Sequence, residues 1–312
     1  MKDNNFNETI DQMKKMTGDD SLKEIDINDS FGFECKQCGQ CCMYRNDIIL
    51  NPFDVYNASK YLGIKPEEFL LKYTYCTLGS NSKIPMVLLK SEKNGFCPFL
   101  KLDVKAGGKF KCTIHDAKPG ACANHPIGVA RGKRLDTEEE EFKFIICGQC
   151  KNSVSDKMHV VKDWVKKYSD NKTEINLAHE IQTKVIKYFD PKEFYKAAQI
   201  VHLYEKFLKE KSKQITELDE DDKTLETAEL GTKAFNVYVT NTISLGYIEY
   251  DINQPFAPQA EKNLQELNEF YENTVEVFNK MKTFADLINE EAKKYFDVED
   301  IEEEGEDENV SE

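Results

Sequence analysis

Four cysteines stand within eight residues, Cys35-Lys36-Gln37-Cys38-Gly39-Gln40-Cys41-Cys42, at steps of three, three and one. Six more follow, at Cys76, Cys97, Cys112, Cys122, Cys147 and Cys150. A short segment so rich in thiols has a thin apolar core, so it folds around cross-links or around metal. The compartment separates the two. The start of the chain, Met1-Lys2-Asp3-Asn4-Asn5-Phe6-Asn7-Glu8, is polar and shows no apolar signal region. No stretch approaches the roughly 18 continuous apolar residues of a membrane span. We therefore expect a cytoplasmic protein with no membrane segment, whose thiols stay reduced. Metal or iron–sulfur ligation explains the spacing better than a disulfide framework does.

A chain of 312 residues with 40% hydrophobic side chains, among them 19 Phe and 14 Tyr, supplies one or two ordinary cores. The net charge is −15. Ten acidic residues and no basic one fall between Asp297 and Glu312, a composition that predicts a disordered, solvated tail over 297–312. The rest of the chain stays mildly acidic, which argues against nucleic acid as the partner.

Four regions follow from the pattern. In 1–30, Phe6, Ile10, Met13 and Met16 predict a short amphipathic helical extension. The region 31–152 holds every cysteine and reads as a small α+β module of short elements. Asp47–Leu50 predicts a strand, and Asn51-Pro52 a helix start with Asn as the cap and Pro in the first turn. A second helix is expected from Pro66, carrying Phe69, Leu70 and Tyr73. Pro85–Lys90 predicts a buried strand. Gly107-Gly108 predicts a hairpin turn into Cys112, and 127–135 with 142–147 a last hairpin ending on Cys147.

The region 153–296 contains no cysteine, and its apolar spacing becomes helical. Val161, Trp164, Val165 and Tyr168 make one stripe, and Ala178, Ile181, Val185 and Phe189 another. Asp190-Pro191 opens a helix with Phe194, Ala198, Val201, Tyr204 and Leu208. Residues 212–224 read as a charged loop. Residues 225–250 are ambiguous, because Phe235, Val237 and Val239 alternate as in a strand. From about 259 a long helix carries Leu264, Leu267, Tyr271, Thr274, Phe278, Met281, Ala285, Ile288, Ala292 and Tyr295 in steps of three and four. Its mix of large and small residues favours the core of an all-α bundle over an intermolecular coiled coil.

Thiolates select soft or borderline ions and iron–sulfur clusters. Three cysteines at Cys35, Cys38 and Cys41 can curl around one centre, with Gly39 allowing the turn. Ferredoxins hold three corners of a [4Fe–4S] cube in this way, with the fourth ligand distant. Four-cysteine zinc sites more often pair two Cys-x-x-Cys knuckles. A second knuckle exists here, Cys147-Gly148-Gln149-Cys150, which echoes Cys38-Gly39-Gln40-Cys41. Cys42, adjacent to Cys41, faces a second centre, a supporting position or the core. Cys97, Cys112 and Cys122 offer closing ligands. Cys76 stands alone and reads as a buried apolar residue. His115 and His125 can ligate or support a ligand, whereas His159, His179 and His202 are expected on helices in packing or surface roles.

The order Cys35-x-x-Cys38-x-x-Cys41-Cys42, Cys97-Pro98-Phe99-Leu100, Cys112-x-Ile114-His115 and Lys118-Pro119-x-x-Cys122 resembles the zinc- or iron-chelating CxxCxxCC domain family, the YkgJ-like cysteine-cluster proteins. The flagellin lysine-N-methylases carry a similar domain. Asn51-Pro52-Phe53-Asp54 also looks like the helix opening that follows the cluster in that family. Where the family has Arg-Pro-x-x-Cys-Arg-x-Phe-Pro, this chain has Lys118-Pro119-Gly120-Ala121-Cys122-Ala123-Asn124-His125-Pro126, so two arginines and an aromatic are replaced. The resemblance covers about residues 31–150.

Three functions are compatible with these features. The first is a metal-binding protein with a redox, sensing or cluster-scaffold role, with one or two sites of [4Fe–4S] or Zn2+ drawn from Cys35, Cys38, Cys41, Cys42, Cys97, Cys112, Cys122, Cys147 and Cys150. The spacing favours [4Fe–4S], on Cys35, Cys38 and Cys41 closed by Cys97, Cys112 or Cys122. The resemblance implies the second, transfer of a methyl group from S-adenosylmethionine to protein lysine, although no glycine-rich nucleotide-binding signature is visible. The third is structural zinc beside a helical region that binds another protein.

Overall fold

The computed structural model describes Lys14 and residues 22–133, 140–147, 155–214 and 223–292. The expected N-terminal helix, apart from the helical Lys14, lies outside these residues, as do Cys150, most of the 212–224 segment, Tyr295 and the acidic tail. The described residues fall into two compact units. One takes those of Met1–Thr77, Met86–Ile181 and Tyr247–Glu261, and the other those of Leu78–Pro85, Gln182–Gly246 and Lys262–Glu312. The class is α+β, with strands gathered around the cysteines and helices toward the C-terminus.

The first unit is built from short pieces. Its largest sheet has the order β1 (Lys23–Ile25), β9 (Glu140–Ile146), β8 (Ile127–Lys133), all antiparallel. Lys23–Ile25 thus form an edge strand of this sheet. Lys23 pairs with Ile146 because Leu22 and Ile145 bury their side chains together. A two-stranded sheet joins β2 (Ser30–Gly32) to β10 (Met158–Val160). His159 therefore sits on a strand, not on a helix. Phe31, Phe33, Ile127 and Val161 form the core between these sheets, with Trp164 and Val165 of helix α4 (Val161–Ser169) packed on it. Burying each such side chain contributes about 1.5–3 kcal/mol. The Trp164 indole donates to the Asn124 carbonyl at 2.9 Å, which fixes the loop after Cys122.

The third sheet, β3 (Ile49–Leu50), β5 (Pro85–Leu89), β4 (Thr74–Leu78), leads into helix α1 (Pro52–Leu62). The Asn51 side chain accepts from the Asp54 N–H at 2.8 Å, and Asp54 accepts from the Asn51 N–H at 3.0 Å. This reciprocal box, with Pro52 in the first turn, fixes the start of the helix. Gly63, with φ of 67°, ends it. Helix α2 (Pro66–Tyr73) buries Phe69 and Leu70, and β5 buries Val87, Leu88 and Leu89. Phe53 and Tyr56 of α1 pack on Phe256, with ring centroids 5.3 Å away in each case, and Tyr56 donates to the Gln254 carbonyl. A segment nearly 200 residues downstream is thereby part of the cysteine-bearing unit. The hairpin β6 (Leu100–Asp103) and β7 (Lys109–Cys112) turns at Gly107 and Gly108, both at positive φ. The one-turn helix α3 (Gly120–Ala123) precedes β8.

The second unit is helical and aromatic. It contains α6 (Pro191–Gln214), α7 (Lys223–Ile243) and the greater part of α8 (Phe256–Ala292); α5 (Lys172–Thr183) ends as it begins. Phe189, Phe194, Phe235, Tyr238, Tyr271 and Phe278 form its core, with Phe189–Phe194 centroids at 5.3 Å and Phe194–Phe278 at 5.4 Å. Residues 225–243 are helical. Phe235, Tyr238 and Thr242 are buried at helical spacing, whereas Val237 is half exposed, so the apparent alternation was accidental. On α8 the buried residues Leu267, Tyr271, Thr274, Phe278, Met281 and Ala285 follow the stripe seen in the sequence. The stripe faces a core within the chain, through Phe189, Phe194 and Tyr238.

Candidate metal centre

The cysteine loop is shaped by two residues at positive φ, Gln37 at 54° and Gly39 at 76°. A side chain at Gly39 would stand 3.0 Å from the Met43 methyl and 3.1 Å from the Phe110 ring, so both the φ and the space call for glycine. The loop then tightens into a 3-10 turn, Gln40–Cys42, with the Cys42 N–H donating to the Gly39 carbonyl at 2.8 Å. Three backbone links tie it to distant cysteines. Phe110 N–H donates to Gln37 O at 2.9 Å, placing the β6–β7 hairpin, with Cys112 at its end, beside the loop. Cys97 N–H donates to Cys42 O at 2.9 Å. Leu100 N–H donates to Cys97 O at 2.9 Å, and Leu100 pairs with Cys112 across the hairpin. Cys122 lies on α3, and Cys147, at the end of β9, donates its N–H to Pro126 O at 2.9 Å.

The thiols influence one another. The Cys41 and Cys42 sulfurs are 3.8 Å apart. The neighbouring Cys42 thiol, then burial, drives the Cys41 thiol far above its ordinary range. Burial raises Cys97, and Cys112 and Cys41 add to it. Burial also raises Cys112, with Cys41 adding and Lys118 opposing. Cys122 is pushed up to about 12 by burial, then by Cys97, Cys112 and Asp54, against the pull of Arg45. Cys41, Cys97, Cys112 and Cys122 are therefore linked electrostatically, Cys41 to Cys97 and Cys112 and these to Cys122, although they lie far apart in sequence. Each is partly buried, and none of the described cysteines is in a disulfide.

Two cations stand beside the thiols. Arg45 is held by a fork to Asp47, Nε to Oδ1 at 2.5 Å and Nη2 to Oδ2 at 2.9 Å, within the electrostatic reach of Cys122 and Cys147. Lys118 acts on Cys41 and Cys112. A thiolate centre is anionic, so cations on its flank favour its loaded state. Arg45 could not be singled out from sequence, because it lies outside every cysteine motif.

The other candidates separate. Cys35 is exposed and Cys38 partly buried on the loop. Cys76, expected in the core, is exposed on β4. His115 is exposed. The His125 Nε2 is buried without a partner, and burial, Arg45 and Lys118 lower its imidazole to about 4. His159 is structural: its Nε2 lies 2.9 Å from the Phe33 carbonyl and its ring 4.7 Å from Trp164. Among the described residues, no three His, Cys, Asp or Glu side chains stand in a ready-made coordination geometry. The donor set nevertheless fits zinc or iron: soft thiols, reduced, gathered, partly shielded and flanked by cations. Loading such a site removes the thiol protons that burial, with mutual proximity, now retains.

Among the described residues no helix is long and apolar enough to cross a membrane. No curated protein and no solved structure matches the chain. A family model does match, over residues 34–151, and its description is CxxCxxCC, "Putative zinc- or iron-chelating domain". The matched segment contains the loop, the closing cysteines and both hairpins, and residues 34–151 are a domain of the CxxCxxCC family.

Proposed function

We propose that this protein is a cytoplasmic metal protein that carries a [4Fe–4S] cluster on Cys35, Cys38 and Cys41, closed by Cys122, in a redox, sensing or cluster-scaffold role. The observation that supports it most is the electrostatic reach of Cys41 to Cys97 and Cys112, and of these two to Cys122, beside a triple Cys-x-x-Cys loop. When bound, the cluster supplies one-electron chemistry. The chain's own residues bind it, shield it from water and balance its charge, Arg45 and Lys118 from the flank. Cys42 with Cys147 and Cys150 is available for a second site. The acidic balance of the chain favours another protein, met through the helical region, over nucleic acid as partner.

One observation favours zinc as a second reading. Cys41, Cys97, Cys112 and Cys122, linked by electrostatic reach from Cys41 to Cys97 and Cys112 and from these to Cys122, supply the four thiols that a zinc site needs, while Cys35 is exposed. Anaerobic purification with a visible spectrum and metal analysis on one sample separates the two. A brown protein absorbing near 400 nm, with about four irons and four sulfides per cluster, supports [4Fe–4S]. A colourless protein with about one or two zinc ions contradicts it and supports the structural site. S-adenosylmethionine binding by the brown protein would point to methyl transfer in place of the redox, sensing or scaffold role.

A further inference from the structure

Asp54 is a buried carboxylate, 5% exposed, in the first turn of α1. Its Oδ2 accepts from the Asn51 N–H at 3.0 Å and closes the capping box. Its Oδ1 reaches 66 residues along the chain and accepts from the Gly120 N–H at 2.9 Å. Gly120 is the first residue of α3, the single turn that carries Cys122. A helix of four residues cannot hold its own orientation, because fixing its backbone costs more than its hydrogen bonds return. Its direction is therefore set from outside. The Asn51 cap needs only one carboxylate oxygen, and the other is spent on α3.

We propose that Asp54 is the positioning residue of the metal centre: by clamping the Gly120 N–H it sets where the Cys122 sulfur stands. The proposal rests on Cys122 being a ligand, as in both readings above, but the clamp itself can be tested without metal. Full-length wild type, Asp54→Ala and Asn51→Ala are compared, reduced and metal-free, by hydrogen exchange at the Gly120 amide and by the rate of Cys122 alkylation. The same three proteins are then loaded with metal and challenged with a chelator. Asn51→Ala damages the cap but leaves the Gly120 clamp, so it controls for a merely structural role.

Asp54→Ala is expected to speed Gly120 exchange and Cys122 alkylation at least about tenfold, and to weaken metal retention about ten- to hundredfold. Asn51→Ala is expected to change each less than about twofold, since its loss is confined to the cap. Equal shifts in the two variants, or none in Asp54→Ala, overturn the proposal. If Asp54→Ala does not fold, Asp54→Asn takes its place and is read in the same way, because its amide leaves one of the two N–H donors facing another N–H. A wild type that holds no metal defeats the ligand reading, while the exchange and alkylation rates still decide the clamp.

Discussion

The two units of this chain are held together by different means. The helical unit rests on ring-to-ring packing, with Phe189, Phe194, Tyr238, Tyr271 and Phe278 interleaved at centroid distances of 5.3–6.3 Å. The cysteine-bearing unit has conventional cores at its two ends, around Phe31 and Trp164 and around Phe53 and Phe256. Around the thiols, hydrogen bonds join segments far apart in sequence: Phe110 N–H to Gln37 O and Cys97 N–H to Cys42 O between backbones, and Gly120 N–H to the Asp54 carboxylate. Net hydrogen bonds contribute only about 0.5–1.5 kcal/mol each, so such a region leans on whatever its thiols bind. The contrast teaches that one unit carries its own apolar core, whereas the other gathers its thiols among loops with few apolar neighbours.

Four experiments sharpen or break that contrast. The largest effect is expected from Cys41→Ser, which removes the loop thiol that the closing cysteines surround. If the proposed centre includes Cys41, the variant abolishes metal binding and unfolds the loop and hairpin region while the helical unit persists. Metal content and hydrogen exchange on one sample check this, and equal loss of protection in both units would break the comparison. Phe194→Ala should do the converse: about 3–5 kcal/mol of stability lost from the helical unit, read by urea denaturation, with metal content unchanged.

The third effect concerns acid. His125 has an ordinary value of 6.5 and is held near 4 in the fold, mainly by burial. A depressed histidine contributes stability that is present above 6.5 and lost as pH falls toward 4. The wild type should therefore lose on the order of 2–3 kcal/mol through this window, after the discount that partial exposure requires. His125→Phe should flatten that part of the pH profile. A variant with the same acid slope as wild type would show that His125 does not carry it. The smallest effect is the helix cap: Asn51→Ala should cost about 1 kcal/mol in thermal unfolding, felt within the cysteine-bearing unit.

Local signals were legible wherever the chemistry is local. The Asn51-Pro52 start, the Pro66 helix, the buried β5 and the Gly107-Gly108 turn each depend on residues within a few positions, and each appears as expected. What the sequence concealed is pairing at a distance. Lys23–Ile25 and Met158–Val160 are strands only because β9 and β2 lie beside them, and no periodicity of three residues announces that. Phe235 and Val237 mimicked a strand until the buried set, Phe235, Tyr238 and Thr242, identified a helix. At the site, spacing indicated the cysteines, but not that Cys97 and Cys112 come within electrostatic reach of Cys41, nor Cys122 within reach of Cys97 and Cys112. Asp54 was visible only as part of the Asn51-Pro52-Phe53-Asp54 helix opening. Its second bond, to Gly120, required the fold.

The central claim is that one centre joins Cys41 of the loop to closing thiols from distant strands and turns. Differential alkylation of the full-length, metal-loaded protein, read cysteine by cysteine by mass spectrometry, tests it most directly. Cys41 and Cys122 are expected to resist labelling until a chelator is added, while the exposed Cys76 labels at once. Labelling of Cys41 and Cys122 as fast as Cys76, with metal still bound, would contradict the account.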